Sequence, residues 1–339
     1  MSLKKDKFSK LDRFYMNLAK NLSKQNEGIT DENPSVGCVI VKNRQIISYG
    51  VTNETGRPHA ETVAINKSKQ SIKGSTVYVT LEPCSHYGLT PPCTNIIIKK
   101  KIKKVFYSLN DFDHRSSKKS KKYLNKKKIL VKNGLLKKNA LNFYKSYFLQ
   151  HSPNLPLIDA KIAISKDYFT KSLKSKWITN FHSLRRAHLL RSMYNCIIST
   201  SKSINDDNSL LDCRIEGLEK KSPDLVIIDR NLKLKKKLNI FKSIKKRKIL
   251  LFTCSNNLKK IKYFKKRGIK IFKFNTLDEK KDFKKLFLIL KKSGYSRIFI
   301  EAGLTMLNFL ILNKFVNNLF IFQSGKNLKK FGINFSSPN

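Results

Sequence analysis

Apolar positions recur along the chain at two periods, and the changes between them mark out its elements. Over residues 10–25, Leu11, Phe14, Leu18 and Leu22 return at helical spacing and predict an amphipathic helix that buries them as a stripe. The turn residues Asn33-Pro34-Ser35-Val36-Gly37 lead into an apolar run, CVIVKN, and a short polar turn separates it from a second, QIISYG; both read as strands. A loop over 51–58, a helix from His59 to about Lys67, a buried strand TVYVTL at 76–81 and a Pro- and Gly-rich loop at 82–93 follow. A helix over 94–103 and a strand VFYSL at 105–109 come next. Residues 111–135 are polar and lysine-rich and carry no predicted element, and 136–150 predict a closing helix. The order αββαβαβ argues for a layered α/β domain.

Residues 151–156, with two prolines and no periodicity, read as a linker. It divides the chain into domains over 1–150 and 151–339, the number expected of 339 residues. The second domain opens on the strand LIDAKIAIS (157–165) and continues through a helix at 180–193 and the strand NCIIST (195–200). Strands DLVIID (224–229), KILLFT (248–253), KIFKF (270–274), RIFIEA (297–302) and LFIFQ (319–323) follow, with helical or lysine-rich stretches between them. Apolar strands alternating with helices predict a mostly parallel, doubly wound sheet.

Composition adds one unusual feature. Lys and Arg number 71 against 23 Asp and Glu, a net charge of +48. Phosphate neutralisation makes nucleic acid the sharp reading of such a charge. The excess is mostly lysine and is spread from residue 4 to residue 330 rather than gathered in one stripe with aromatics, so solvated lysines account for it better and a nucleic-acid partner is disfavoured. No run of the roughly 18 apolar residues that span a bilayer is present. The basic start, MSLKKDKFSK, has no apolar stretch behind it, so a cytoplasmic protein with no secretory signal is expected, and its six cysteines do not read as a disulfide framework.

Two of those cysteines each follow a proline, Pro83-Cys84 and Pro92-Cys93, and His59-Ala60-Glu61 precedes them at a predicted helix start. Three Cys/His ligands with one position left for water make a catalytic zinc site. His59, Cys84 and Cys93 supply them. Glu61, two residues from the histidine, is placed to shuttle protons rather than to bind the metal. The order H-x-E…P-C…C is that of zinc deaminases, which usually separate their cysteines by two residues. Eight separate them here. A closed structural site would need a fourth ligand, for which His86 is the candidate.

With NPSVG (33–37), HAE (59–61) and EPCSHYGLTPPC (82–93), the chain resembles the bifunctional riboflavin-biosynthesis deaminase–reductase family, RibD, whose own cysteine spacing is this one. The resemblance implies a cytidine-deaminase-like three-layer α/β/α domain and a dihydrofolate-reductase-like α/β domain. It implies deamination of 2,5-diamino-6-(5-phosphoribosylamino)pyrimidin-4(3H)-one with zinc on His59, Cys84 and Cys93, Glu61 as proton donor and Asn33 orienting the pyrimidine. Reduction of the ribosyl group to ribityl by NADPH follows. SKWIT (175–179), His188 with Leu190-Arg191, the segment 203–214 and Glu301-Ala302-Gly303 with Thr305 carry the likeness into the second half. They place Ser175, Arg191, Leu211, Arg214 and Glu301 on substrate, and Ala163, Trp177, Ser203, Asp207, Gly303, Leu304 and Thr305 on NADPH. Two arginines suit a ribose phosphate, and a helix starting after Gly303 suits a cofactor phosphate. A homo-oligomer through the C-terminal domain is also implied.

The second half departs from the family pattern. Ser165-Lys166-Asp167-Tyr168-Phe169 stands for S-L-D-G, Ser209 for a proline and Ser203 for a threonine. Residues 111–114 lack the usual D-P-N-P, and the chain ends soon after FGINF (331–335), which reads as a shortened reductase domain. The alternatives are a deaminase whose second domain no longer reduces, and a nucleic-acid base deaminase with a basic surface.

Overall fold

The computed structural model describes residues 8–30, 33–151 and 154–334. Residues 1–7 of the basic N-terminus, residues 152 and 153 of the expected linker and the last residue of FGINF lie outside the described residues. The chain divides into two compact units at residues 153/154.

The first unit runs α1 (Lys10–Ser23), β1 (Gly37–Lys42), β2 (Gln45–Val51), α2 (Ala60–Lys67), β3 (Thr76–Leu81), α3 (Cys93–Lys99), β4 (Lys104–Leu109), α4 (Lys119–Lys126), β5 (Leu130–Asn133), α5 (Lys137–Phe143) and α6 (Lys145–Gln150). Its sheet has the order β2-β1-β3-β4-β5. The β1 pairings are antiparallel, and β3, β4 and β5 run parallel. Alternation along the strands sorts side chains into two cores. Cys38, Ile40, Val77, Val79, Val105 and Tyr107 face one, with Ala60 and Ala64 of α2 and Ile97 of α3. Val39, Val41, Tyr78 and Phe106 face the other, with Tyr15, Met16 and Ala19 of α1. The result is a three-layer α/β/α unit.

The face that α1 buries differs from the expected stripe. Leu11 and Phe14 are 45% and 53% exposed, while Tyr15, Met16, Ala19 and Ser23 are buried and Leu18 and Leu22 pack partly against the same core. The cause is Gly37. A Cβ there would stand 1.8 Å from the Ala19 carbonyl oxygen, so the helix backbone lies directly on the strand and turns its small-residue side inward. A capping box between Ser9 and Asp12 starts the helix.

The stretch 111–135, expected to lack elements, contains α4 and the edge strand β5. Among their lysines only Leu124 and Val131 are buried apolar side chains, too few to make a period. The parallel register with β4, Val105 opposite Val131, decides the strand. The closing helix is broken at Tyr144 into α5 and α6.

The second unit runs β6 (Leu157–Ile164), β7 (Lys171–Ser172), α7 (Phe181–Arg191), β8 (Cys196–Thr200), α8 (Ser201–Asp207), β9 (Asp224–Ile228), β10 (Ile249–Thr253), α9 (Leu258–Lys266), β11 (Lys270–Lys273), α10 (Lys280–Lys292), β12 (Arg297–Ile300), α11 (Leu304–Leu312), β13 (Asn318–Gln323) and β14 (Gly332–Ile333). The seven-stranded sheet has the order β11-β10-β9-β8-β12-β6-β13 and is parallel at every pairing. Its strands again split between two cores. Ile198, Val226, Phe252 and Ile300 lie on one side, and Ile197, Leu225, Leu251 and Phe299 on the other. Both faces are covered, as a parallel sheet requires. β7 and β14 pair antiparallel beside the turn where Tyr168 replaces a glycine. Tyr168 has φ +65, so the left-handed backbone a glycine would serve is kept under an exposed tyrosine.

Candidate active site

Three chain ends converge in the first unit. β3 runs out at Leu81 into Glu82-Pro83-Cys84, α2 starts immediately after its N-cap His59, and α3 starts at Cys93. His59 Nδ1 is 3.5 Å from Cys84 Sγ and 3.4 Å from Cys93 Sγ. The three donor atoms lie within 4.8 Å of one another, and no other such group occurs among the described residues. Two sulfurs and one imidazole nitrogen converging in this way match the zinc donor set. His86, the candidate fourth ligand, is not among them; its Nδ1 meets Ser116 Oγ at 2.7 Å. Three donors without a fourth leave the open position of a catalytic site.

The backbone N–H of Cys93 donates to Cys84 Sγ at 3.2 Å. With the Cys93 thiol and His59 also beside it, the Cys84 thiol is lowered to about 4, and Cys93, which shares its proton with Cys84 and is fully buried, is pushed well up. Glu61 sits in the first turn of α2 and is buried. Burial raises its carboxyl to about 7 against the lowering pull of His59.

Asn33 is held between the Thr30 turn and the Gly56 loop that leads to His59. Asn33 N donates to Thr30 O at 3.0 Å, and Thr30 Oγ1 donates to Asn33 O at 2.6 Å. Gly56, with φ +82, backs onto it: a Cβ there would lie 2.4 Å from Asn33 Nδ2. Tyr144 OH donates to Ser35 O at 3.1 Å and meets Thr80 Oγ1, which accepts the Gly37 N–H at 3.1 Å. Glu82 is a buried carboxylate with no ion-pair partner among the described residues. It accepts from Asp111 N, Lys118 N, Ser120 N and Ser120 Oγ at 2.8–3.1 Å, tying the residue before Pro83-Cys84 to the segment that follows β4.

In the second unit three of the residues expected on substrate, Arg191, Arg214 and Glu301, gather in one cluster, whereas Ser175 and the Leu211 side chain do not join it. Arg191 Nε and Nη2 donate to Glu301 Oε1 and Oε2 at 2.6 and 2.9 Å, and Nη1 donates to Asp212 O at 3.0 Å. Both side chains are nearly buried. Burial alone would raise the Glu301 carboxyl, but Arg191 and Lys161 hold it at about 2. Lys161 Nζ lies 3.8 Å from Glu301 Oε2. Arg214 joins through His188, its Nη2 3.3 Å from Nε2, and through Asp212 at 3.3 Å. Leu211 has φ +53 and puts its side chain into the core. Its carbonyl accepts from the buried Arg247, which also donates to the carbonyls of Leu210 and Pro223.

The residues expected on cofactor fall into two sets. Gly303 is the N-cap of α11 with no side-chain cap, and Leu304 and Thr305 form the first turn. A Cβ on it would stand 3.9 Å from Ser203 Oγ, so Gly303 and Ser203 line one cradle. Thr200 Oγ1 accepts the Ser203 N–H at 3.2 Å at the start of α8. An uncapped helix start beside a hydroxyl suits a cofactor phosphate. Trp177 is exposed and its carbonyl accepts at 3.2 Å from Oγ of Ser175, which is exposed too and is expected on substrate; Ala163 is half-buried on β6, and Asp207 ends α8. No hydrogen bond or ion pair joins these four to the Arg191–Glu301 cluster.

Sequence reasoning passes over Glu82, Tyr144, Lys161, Asp212 and Arg247. Glu82 alone carried a local signal, an acid directly before Pro-Cys. The others act through contacts with residues distant in sequence.

Residues 9–109 match the cytidine and deoxycytidylate deaminase zinc-binding region, and residues 156–328 match the RibD C-terminal domain. The riboflavin biosynthesis protein RibD of Bacillus amyloliquefaciens is 33% identical over 295 residues, 86% of this chain and 79% of that protein. A diaminohydroxyphosphoribosylamino-pyrimidine deaminase of Buchnera aphidicola subsp. Schizaphis graminum is 46% identical over 145 residues, 43% of this chain and 99% of that protein. The crystal structure of a diaminohydroxyphosphoribosylaminopyrimidine deaminase/5-amino-6-(5-phosphoribosylamino)uracil reductase from Thermotoga maritima superposes with a TM-score of 0.84 at 26% identity, covering 96% of this chain and 89% of that one. The cytidine-deaminase-like first unit, the RibD-type second unit and relatives spanning nearly the whole chain establish that it belongs to the RibD family, an enzyme of riboflavin biosynthesis with a deaminase domain and a reductase domain.

Proposed function

We propose that the first domain deaminates 2,5-diamino-6-(5-phosphoribosylamino)pyrimidin-4(3H)-one and that the second reduces the ribosyl group of the product to ribityl with NADPH. The observation that carries the first step is the convergence of His59 Nδ1, Cys84 Sγ and Cys93 Sγ beside a buried Glu61. His59, Cys84 and Cys93 would hold zinc, which when bound acidifies water by acting as a Lewis acid. Glu61 accepts a proton from the attacking water and delivers it to the departing amine, so water and substrate give the uracil product and ammonia. A carboxyl near 7 can run in both directions at neutral pH. Asn33 orients the ring.

For the second step, Arg191, Arg214 and Glu301 form the substrate end, and Ser175 and Leu211 are assigned to substrate with them. Ser203 and Gly303 to Thr305 hold the cofactor phosphates, and Ala163, Trp177 and Asp207 complete the NADPH site. NADPH when bound supplies the hydride. The cluster of Arg191, Glu301, Lys161, His188 and Arg214 keeps charged groups in a half-buried site at the carboxyl end of β12, where open α/β sheets bind ligands. The partner is a small molecule; no helix among the described residues is long and apolar enough to cross a membrane. A cytoplasmic location and self-association through the second domain belong to the same proposal.

A coupled assay tests it. Zinc-loaded protein releases ammonia from the ribotide and then oxidises NADPH. Glu61→Gln is expected to lower the deamination kcat by about 10²–10⁴-fold with zinc retained. Ammonia release without NADPH oxidation would reduce the second domain to a binding module. Turnover of RNA but not of the ribotide would overturn the reading.

A further inference from the structure

Arg57 stands beside the metal site without an anion. It lies in the loop that carries Gly56 and leads through Pro58 into the ligand His59. Its Nη1 donates to Thr90 Oγ1 at 2.7 Å, in the loop between the two ligand cysteines. The same nitrogen is 3.5 Å from His59 Nε2, the ring nitrogen opposite the ligand atom. A Cβ on Gly88 would stand 3.6 Å from Nη2, so that face of the guanidinium meets a residue with no side chain to cover it. The side chain is half-buried, and among the described residues no carboxylate comes within ion-pairing distance of it.

A guanidinium offers five N–H donors in a planar fork. Thr90 takes one, and the contact with His59 is at the limit of hydrogen-bond length. The remaining donors of a half-buried, fixed and unpaired cation demand an acceptor. The fork matches two oxygens of a phosphate, and because two loops hold it, little side-chain freedom is lost on binding. Position narrows the class of ligand. Arg57 sits beyond His59 from the converging donor atoms, one imidazole width and one contact away. That is too far to touch a ring reacting at those atoms, and within reach of a substituent extending from it. The surface lysines of this chain offer charge without such fixation.

The geometry points to Arg57 as the residue that reads the phosphate of the deaminase substrate, setting the preference for a ribotide over the corresponding riboside. This rests on the reading of the first domain as a pyrimidine ribotide deaminase. The competing account is a strut, in which Arg57 only braces His59 against Thr90.

Full-length, zinc-loaded protein is assayed for ammonia release from the ribotide and from its dephosphorylated riboside, with zinc content measured in parallel. Arg57→Gln keeps a donor for Thr90 and removes the charge. It is expected to lower the ratio of kcat/KM for ribotide over riboside by about 10–100-fold, chiefly through the ribotide KM. Arg57→Lys restores part of that ratio. An equal loss on both substrates, or a loss of zinc in step with activity, identifies the strut and overturns the assignment; so does an unaltered ratio. Wild-type protein that fails on the ribotide would sink the deaminase reading itself, whereas wild-type turnover with the ratio intact in Arg57→Gln sinks only the role of Arg57.

Discussion

Replacing Glu301 by Gln takes one charge from a pair with little water around it. Arg191 keeps its guanidinium, now facing a neutral amide, with Asp212 O its remaining strong acceptor. The magnitude follows from the carboxyl itself. Its ordinary value is 4.5 and the pair holds it at about 2. A gap of roughly two to three units, at about 1.4 kcal/mol each, is about 3 kcal/mol of folding free energy. Breaking a buried pair by removing one partner costs about 3–5 kcal/mol in other proteins, which agrees. For a unit of this size that is a fall in Tm of roughly 6–12 °C. The folded-state value is depressed, so the stabilisation is fully present above the unfolded value near 4.5 and is lost as pH falls through about 2. The assay is urea unfolding of wild type and Glu301→Gln at a series of pH values, following the reductase unit. The difference between them should be about 3 kcal/mol at pH 7 and shrink toward zero near pH 2. The double replacement Arg191→Met/Glu301→Leu should recover part of it, because the buried guanidinium leaves with its carboxylate and only Lys161 loses a partner. A cost under about 1 kcal/mol at pH 7, or a difference independent of pH, would refute the reasoning.

Three further changes probe the supports of the two sites. Tyr168→Gly relieves a left-handed tyrosine and should raise stability by about 1 kcal/mol, read as a higher urea midpoint. Gly56→Ala puts a methyl group against Asn33 Nδ2 at a positive φ, and should raise the deaminase KM about 10-fold or more while zinc content stays at the wild-type level. Arg247→Met frees the carbonyls of Leu210, Leu211 and Pro223 and should loosen the loop carrying Asp212 and Arg214, which raises the reductase KM for substrate more than it lowers kcat.

The three converging Cys and His side chains were legible because each sits in a short motif at an element boundary, where a proline or a helix start fixes the backbone. His59, Cys84 and Cys93 needed only the right order along the chain. Strand positions in both units were legible from runs of apolar residues, since a strand buried on both faces needs nearly every side chain to be apolar. The edge strand β5 was not, because Val131 alone is deeply buried within it and the hydrogen-bonded neighbour β4 decides its conformation. The buried side of α1 was misread for a related reason. Leu11 and Phe14 have the right spacing, but the close approach of Gly37 to Ala19 sets the rotation of the helix, and the absence of a Cβ leaves no hydrophobic signal.

Local order and period along the chain carry the three Cys and His donors, the acid beside them and the two α/β units. How those groups are poised depends on packing between segments far apart in the chain. Arg191 and Glu301, expected to meet a substrate, meet each other across 110 residues of chain. Glu82 ties the residue before Pro83-Cys84 to backbone N–H groups some 30 residues on, and Arg57 is brought beside His59 and Thr90 with no carboxylate partner among the described residues. Such pairings depend on how strands and helices pack, a sum of many weak contacts that no single segment records.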